Sequence, residues 1–487
     1  MSKIEHQQNV VEFTLPATVG ELGQAWNEHG ADIIIGHPTY RNADTIGPLL
    51  AHGIRGAVRA FPGRKAAFVV TDGTLGLRNS DRSVMEAALA GAVDGLAQLT
   101  AEQREDVLVT LAPYEGYGGD FTPGKGSALK MVFDEMGRCD ASLLLLMDGD
   151  LRNDMGAWQN VYRAVEEEHS FRFPDRAMFV TARYARHFVD ASLTRFIVGP
   201  LTTLLGTFVP GGISGDIALS AGAVELERNA TWSLPRRKYG TDISTTLDNL
   251  AHGTVVYEAY LGAKLHDITD EAKLSVMPGE VIGAALERLL HFEQSEGAVS
   301  RVLEPGFELA QVLRWDPVRT GIAFIDPGAT DVFDIDVKMA SLANRFDEFR
   351  GDMEAVLGPS RTTALKAAAA LMGGRQEDGE RVSGMGVDAE VWTDVLLQGV
   401  GFALRTQDLD TPKRCLNYLY TAAFLEFVVG CLRQLGYETL GQVRQAQSNL
   451  VVPSGKAEAF YDEVDRFASE LATGFFEKRG LLCDALK

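Results

Sequence analysis

Asp148-Gly149-Asp150 is the triplet whose residue types and spacing point most directly to chemistry. It closes the apolar run Leu143-Leu144-Leu145-Leu146-Met147, which reads as a buried strand. The two carboxylates therefore stand at a strand's carboxyl end, where ligands bind in open α/β sheets. Acids two apart on an extended segment point to the same side, and the glycine between them lets a ligand approach the backbone. Hard oxygen donors of this kind suit Mg²⁺ or Mn²⁺, with water and a diphosphate completing the shell. Asp and Gly also end strands in ordinary turns, so the triplet alone leaves a plain turn open.

A glycine-rich stretch, Gly116-Tyr117-Gly118-Gly119-Asp120-Phe121-Thr122-Pro123-Gly124-Lys125-Gly126-Ser127, precedes it. Gly119 and Gly124-Lys125 have P-loop spacing, but Gly126 stands where Ser or Thr would hold Mg²⁺. The loop also follows the third expected strand rather than the first. An ATP-type P-loop is rejected. Lys125 still supplies a cation, and a helix expected from Ser127 offers free N–H groups to a phosphorylated ligand. A mobile, solvated loop is the other reading.

Alternating strands and helices must position these groups. Short apolar runs at 32–36, 67–70, 106–111, 142–147, 177–181 and 255–260 read as strands, and 43–60, 82–99 and 127–136 as helices. That order predicts βα units on a mostly parallel sheet. Beyond about residue 275 helical periodicity dominates, at 282–292, 337–357, 362–372, 389–404, 412–435 and 456–476, with a polar surface loop at 373–386. Residues 1–275 form the expected α/β domain. Residues 276–487 form the expected helical region, with oligomerisation or a cover over an acceptor site as its candidate roles. Residues 416–432 are apolar with few charges, which favours a buried core helix over an oligomer interface. A homodimer is compatible with the sequence.

The 487 residues exceed the roughly 250–300 at which single cores stop growing, so two domains are expected. A formal net charge of −21 argues against non-specific nucleic-acid binding and against an anionic membrane surface. A local basic site for a phosphorylated ligand remains compatible with it. Cys139, Cys415, Cys431 and Cys483 form no Cys-x-x-Cys pair, so a zinc cage or redox motif is not expected, and scattered thiols suit a reducing compartment. No signal-peptide stretch opens the chain and no run is long enough to span a bilayer. A soluble, cytoplasmic protein is the expectation.

The ordered motifs resemble one family. Pro38-Thr39-Tyr40-Arg41-Asn42 resembles the Pro-x-x-Asn-Glu segment of GT-A nucleotide-sugar transferases, and Thr71-Asp72-Gly73-Thr74 their Asp-Ser-Gly-Ser/Thr turn. Pro123-Gly124-Lys125-Gly126 and Asp148-Gly149-Asp150-Leu151 resemble the retaining enzymes that make glucosyl-3-phosphoglycerate and mannosylglycerate. Gly212-Ile213-Ser214-Gly215-Asp216, Tyr239-Gly240-Thr241-Asp242-Ile243 and Leu261-Gly262-Ala263-Lys264-Leu265-His266 resemble further segments of theirs, covering with the others about residues 31–270. The helical remainder has no match in that pattern.

The resemblance implies a GT-A fold and retaining, metal-dependent transfer of a hexose from an NDP-sugar (UDP- or GDP-hexose) to a small hydroxy acid of the glycerate or 3-phosphoglycerate type. Products would be compatible solutes of the glucosylglycerate or mannosylglycerate kind. It assigns Pro38, Tyr40, Asn42, Asp72, Lys125, Asp148 and Gly215 to the donor, with Asp150 and His266 as ligands of Mg²⁺ or Mn²⁺. Asp216 and Asp242 would be catalytic, and Thr194 and Arg195 would bind the acceptor. Three departures stand out. Asn42 replaces the family's Glu, Asp267-Ile268-Thr269 replaces basic residues, and Ala191-Ser192-Leu193-Thr194 lacks the phosphate-binding Arg of Gly-Arg-x-Thr. An unphosphorylated hydroxy acid such as glycerate, or a polyol, is therefore at least as good an acceptor as phosphoglycerate. No carboxylate pair is assignable as nucleophile and general acid; the resemblance implies a front-face displacement instead. An inverting GT-A transferase, a sugar-nucleotide pyrophosphorylase and a non-catalytic sugar-nucleotide sensor are the competing readings.

Overall fold

The structure is a computed structural model. It describes residues 3–7, 9–15, 17–266, 271–324, 326–327, 334–372, 377–380, 384–446 and 451–486. Asp267-Ile268-Thr269 and much of the loop expected at 373–386 lie outside the described residues. The chain divides into two compact units. The first comprises Met1–Tyr184, Ile213–Asp267 and Val312–Ala323, and the second Ala185–Gly212, Ile268–Gln311 and Phe324–Lys487. Ala185–Gly212 thus packs with the helical unit although it falls within residues 1–275, and Val312–Ala323 does the reverse.

The strands are β1 (Lys3–Gln7), β2 (Val10–Phe13), β3 (Ile33–Thr39), β4 (Ala66–Asp72), β5 (Val107–Pro113), β6 (Leu143–Leu146), β7 (Met178–Ala185), β8 (Thr207–Phe208), β9 (Ile217–Ser220), β10 (Val255–Ala263), β11 (Ala310–Gln311) and β12 (Leu313–Trp315). Ten of them make one sheet of order β1-β2-β5-β4-β3-β6-β9-β7-β10-β12, and β8 pairs with β11 in the second unit. β2, β5, β4, β3 and β6 run parallel, whereas β9 is antiparallel to both β6 and β7. The mostly parallel α/β class expected from the sequence is what forms. Ile33–Ile35 and Leu143–Leu146 are covered on both faces, as parallel strands between helices must be. The hairpin β1–β2, strand β9 and the helix Met155–Arg172 lay outside the sequence expectation.

Chain order reverses around β3. β4 and β5 extend the sheet to one side of it, and β6 pairs on the other. The carboxyl ends of β3 and β6 therefore flank a topological switch point, where a crevice opens because successive crossovers leave in opposite directions.

The helices Ala43–Ala60 and Ser83–Ala97 pack on each other at two glycines. A Cβ on Gly91 would lie 2.2 Å from the Gly47 carbonyl oxygen and 2.7 Å from its Cα. In the second unit, helices Glu271–Glu296, Ile335–Leu357, Ala389–Thr406 and Asp410–Gln434 pack together. Asp410–Gln434 is long and apolar enough to cross a membrane by composition, but 72% of its most apolar window is buried in the fold. Trp392 donates to the Phe196 carbonyl at 2.8 Å, and Tyr420 and Phe427 stack edge-on to Phe196. The buried-core reading of residues 416–432 matches this packing.

Gly91→Ala should lower stability by about 1–3 kcal/mol, because backbone rather than a flexible side chain opposes the new methyl. Urea unfolding checks this, and an unchanged midpoint would contradict the close helix approach.

Candidate functional site

β6 stops at Leu146, and Gly149-Asp150 form a turn rather than more strand. The turn is held against β3. Met147 N–H donates to the Gly36 carbonyl at 2.9 Å, and the Thr45 hydroxyl donates to the Gly149 carbonyl at 2.7 Å. A Cβ on Gly149 would lie 2.5 Å from Thr39 Cγ2 and 2.9 Å from the Pro38 oxygen. The glycine of the triplet is required because the end of β3 packs against it.

Around this turn the first unit builds a half-buried ion lattice. Lys125, the first residue of the helix Lys125–Met136, pairs with Asp148 at 2.9 Å and with Asp242 at 3.1 Å. Lys264, just past β10, donates to Asp148 at 2.8 Å, to Asp216 at 2.7 Å and to the Ser214 carbonyl at 2.9 Å. Those three bonds match the ammonium's three protons. Asp216 is fully buried. It accepts the Asp148 N–H at 2.9 Å and the Tyr184 hydroxyl at 2.5 Å. Gly215 has φ of +77°, and a Cβ there would sit 2.4 Å from Asp148 Oδ2 and 3.0 Å from Lys125 Nζ. Only glycine lets that backbone cradle the ion pair.

The charges answer one another. Burial alone would raise the Asp148 carboxyl, but Lys125 and Lys264 hold it well below the usual range. Burial opposes charge on Lys125 too, yet Asp148 and Asp242 push its pKa up. Asp242 is raised, by burial first and then by Asp148, with Lys125 opposing. Asp150 is raised by burial and by the negative charge of Asp148, with Lys264 and His266 opposing. Among the carboxylates here, Asp150 thus has the least compensation from lysine.

His266 reaches this turn through the backbone. It forms an antiparallel bridge with Leu151, flanked by Arg152 N–H to the Leu265 carbonyl at 2.8 Å. Asn153 ties the same ladder, donating to the Ala263 carbonyl at 2.7 Å and accepting the Leu265 N–H at 2.8 Å. The structure therefore brings Asp148, Asp150, Asp216, Asp242, Lys125, Gly215 and His266 into one neighbourhood. Asp148 is engaged by two lysines, and no three His, Cys, Asp or Glu side chains among the described residues cluster as a ready-made ion cage.

The remaining expected residues divide. Tyr40 is 49% exposed, with the Arg41 guanidinium 5.1 Å from its ring centre. Asn42 Oδ1 accepts the Tyr40 N–H at 2.8 Å, shaping the bend after Pro38. Asp72 is fully buried and accepts from the N–H groups of Thr74 at 2.8 Å and Leu75 at 3.0 Å, so it holds its own turn. Burial still leaves its carboxyl raised.

The free helix N-terminus expected near Ser127 is not there. The helix begins at Lys125, and the N–H groups of Gly126 and Ser127 donate to the carbonyls of Lys238 at 3.3 Å and Arg237 at 3.0 Å. Thr194 and Arg195 belong to the second unit, on a five-residue π-helical turn. The buried Arg195 guanidinium donates to the Phe188 carbonyl at 3.0 Å and to that of Asp190, and lies over Phe427.

No protein-family model and no curated protein matches the chain. Among solved structures it is similar to glucosyl-3-phosphoglycerate synthase from Mycobacterium tuberculosis. The complex with Mn²⁺, uridine diphosphate and phosphoglyceric acid is 20% identical over 56% of this chain and 82% of that one, with a TM-score of 0.39. The complex with Mn²⁺, UDP-glucose and phosphoglyceric acid is 20% identical over 56% and 83%, with a TM-score of 0.38. A third, with Mn²⁺, UDP-glucose and glycerol 3-phosphate, is 18% identical over 56% and 84%, with a TM-score of 0.36.

Lys264, Tyr184 and Ser214 were not singled out from the sequence. A signal for Lys264 existed. It lies two residues before His266 on a strand continuation, so both can face one side. His37 was equally silent. It is fully buried beneath the switch point, and its Nδ1–H donates to the Met147 carbonyl at 3.2 Å, since a carbonyl can only accept. Its Nε2 has no hydrogen-bond partner among the described residues.

Burial pushes His37 down to about 4, with the Met147 hydrogen bond opposing. The unfolded chain binds a proton near pH ~6.5 that the folded chain refuses until about 4. This stabilisation is complete above ~6.5 and is lost as pH falls through about 4. His37→Gln keeps an N–H donor but does not titrate. Between pH 7 and 4 the parent should lose about 3 kcal/mol more unfolding free energy than the variant. Urea titrations across that range check it, and parallel pH curves would contradict it.

Proposed function

We propose that the chain is a metal-dependent glycosyltransferase. It would move a hexose from an NDP-sugar to a small hydroxy-acid or polyol acceptor, with retention at the anomeric carbon. The observation that carries this reading is the convergence of Asp148, Asp150, His266, Lys125 and Lys264 at the β3–β6 switch point. A dense acid–base cluster at that place suits an anionic ligand held partly through a cation.

The donor set fits Mg²⁺ or Mn²⁺ bound jointly with a diphosphate. Asp150 is a carboxyl raised by burial beside Asp148, so a cation would restore its charge, and His266 supplies an imidazole from the adjoining bridge. Asp150 and His266 would hold the ion, with phosphate oxygens and water completing its shell. When bound it would neutralise charge on the departing nucleoside diphosphate.

The chain's own residues do the positioning. Lys125 offers a half-buried ammonium oriented by Asp148 and Asp242, so it adds fixed positive charge without reorganising. Lys264 cancels Asp148 and Asp216, which keeps those acids from repelling a diphosphate. The exposed Tyr40 ring, next to Pro38 and Asn42, would stack on a nucleobase, a reading its exposure supports. Asp242, raised and partly exposed, is the better candidate to meet the sugar and acceptor. Asp216 is fully enclosed and acts through Lys264 and the Asp148 backbone. The commitment of Arg195 to carbonyl groups favours an unphosphorylated acceptor such as glycerate over phosphoglycerate.

Purified protein with UDP-glucose or GDP-mannose should transfer sugar to glycerate only with Mn²⁺ or Mg²⁺. Asp150→Asn should lower the rate about 100-fold or more while the protein stays folded. Undiminished turnover in chelator would remove the metal from the reading. NMR of the product reads the anomeric outcome, and an inverted product would remove retention. Nucleotide binding without turnover on any acceptor would favour a sensor.

A further inference from the structure

Arg236 is a fully buried charged side chain that the site described above does not use. It is 1% exposed and lies between two acids from different helices. Its Nη2 pairs with Glu227, on the helix Ala221–Asn229, at 2.5 Å, and its Nη1 with Asp248, on the helix Thr241–Ala251, at 2.6 Å. The guanidinium lies 4.5 Å from the Trp232 ring centre. Glu227 is tied in turn by the Thr245 hydroxyl at 2.9 Å and the Asn249 amide at 3.0 Å. The planar fork of Arg spans two carboxylates, which the point charge of Lys does not.

What this clamp fixes is the tight turn at 235–240, closed by N–H groups of Lys238 and Gly240 donating to the Pro235 carbonyl at 3.1 Å. The backbone of 236–238 is the surface on which Gly124-Lys125-Gly126 lies. A Cβ on Gly126 would be 2.0 Å from the Arg236 oxygen, and one on Gly124 would be 2.5 Å from the Arg237 oxygen. The Gly126 and Ser127 N–H groups bond to this turn. Asp242 and Asp248 share one helix, so the clamp on Asp248 and the Lys125–Asp242 pair are mechanically linked.

We infer that Arg236 is a positioning residue for the donor site: clamped by Glu227 and Asp248, it sets the turn that places the Lys125 ammonium against Asp148 and Asp242. Its role in ligand binding rests on the donor-site reading above, whereas its role as a clasp does not.

The test uses the full chain with Arg236→Lys, and Asp248→Asn as a second, milder variant should Arg236→Lys not fold. Backbone hydrogen exchange reads the clasp without ligand. The amides of Gly126 and Ser127 should exchange at least 10-fold faster, with β3 and β4 unchanged. Uniform acceleration everywhere, or unchanged exchange at those two amides, overturns the inference. Calorimetry with UDP or GDP and Mn²⁺ reads the site. Arg236→Lys should weaken binding about 10-fold, and combining it with Lys125→Ala should add little to Lys125→Ala alone. Fully additive losses overturn the positioning role. A parent protein that binds neither nucleotide defeats the donor-site reading, and the exchange result still decides the clasp.

Discussion

The contact on which the site depends is the ammonium of Lys264 between Asp148 and Asp216. Four carboxylates, from Asp148, Asp150, Asp216 and Asp242, gather at the carboxyl end of one parallel strand. Buried like charges at that spacing would otherwise force protons onto one another. Lys264 spends its three donors on Asp148, Asp216 and the Ser214 carbonyl, and Lys125 answers Asp148 and Asp242. Four negative groups against two positive ones leave a local deficit, concentrated at Asp150. On the proposed reading, that shortage of positive charge is what would draw a cation to Asp150.

The surrounding backbone is shaped to hold this lattice. Gly149 is open to the end of β3, Gly215 curves under the Asp148–Lys125 pair, and Gly126 lies on the 236–238 turn. Each would collide with backbone or with a charged head if it carried a Cβ. The helix of Lys125 therefore has its first donors satisfied by protein, and its usefulness to a ligand passes to the lysine side chain. A side chain can be aimed by neighbouring acids, whereas amides already bonded to carbonyls are lost to a phosphate.

Much of the scaffold was legible because its signal is local. The run Ile33-Ile34-Ile35, the Leu143–Leu146 run and the periodicity of Ala43–Ala60 produce strands and a helix where the residue pattern demands them. Asp148, Asp150 and Lys125 were visible for the same reason, as charged or glycine-flanked breaks in the pattern, whereas Asp242 and His266 entered only through the ordered resemblance. Strand β9 was not, since only four residues carry it and its direction opposes its neighbours. Arg236 was silent, and Lys264 was passed over despite its spacing from His266, because a lysine or arginine in sequence reads as solvated until its partners are known.

The sequence by itself determined which segments become strands and helices, and that acids would stand at the end of the β6 run, because hydrophobic periodicity and turn chemistry act over a few residues. Only the tertiary structure decided how each of those acids is used. Asp216 is enclosed, Asp148 is neutralised by two lysines, Asp150 is raised by burial and by Asp148 with the least help from lysine, and Arg195 is committed to carbonyls in the second unit. For the ion lattice the cause is a partner 23 to 117 positions away, and pairing at that range leaves no trace in local spacing.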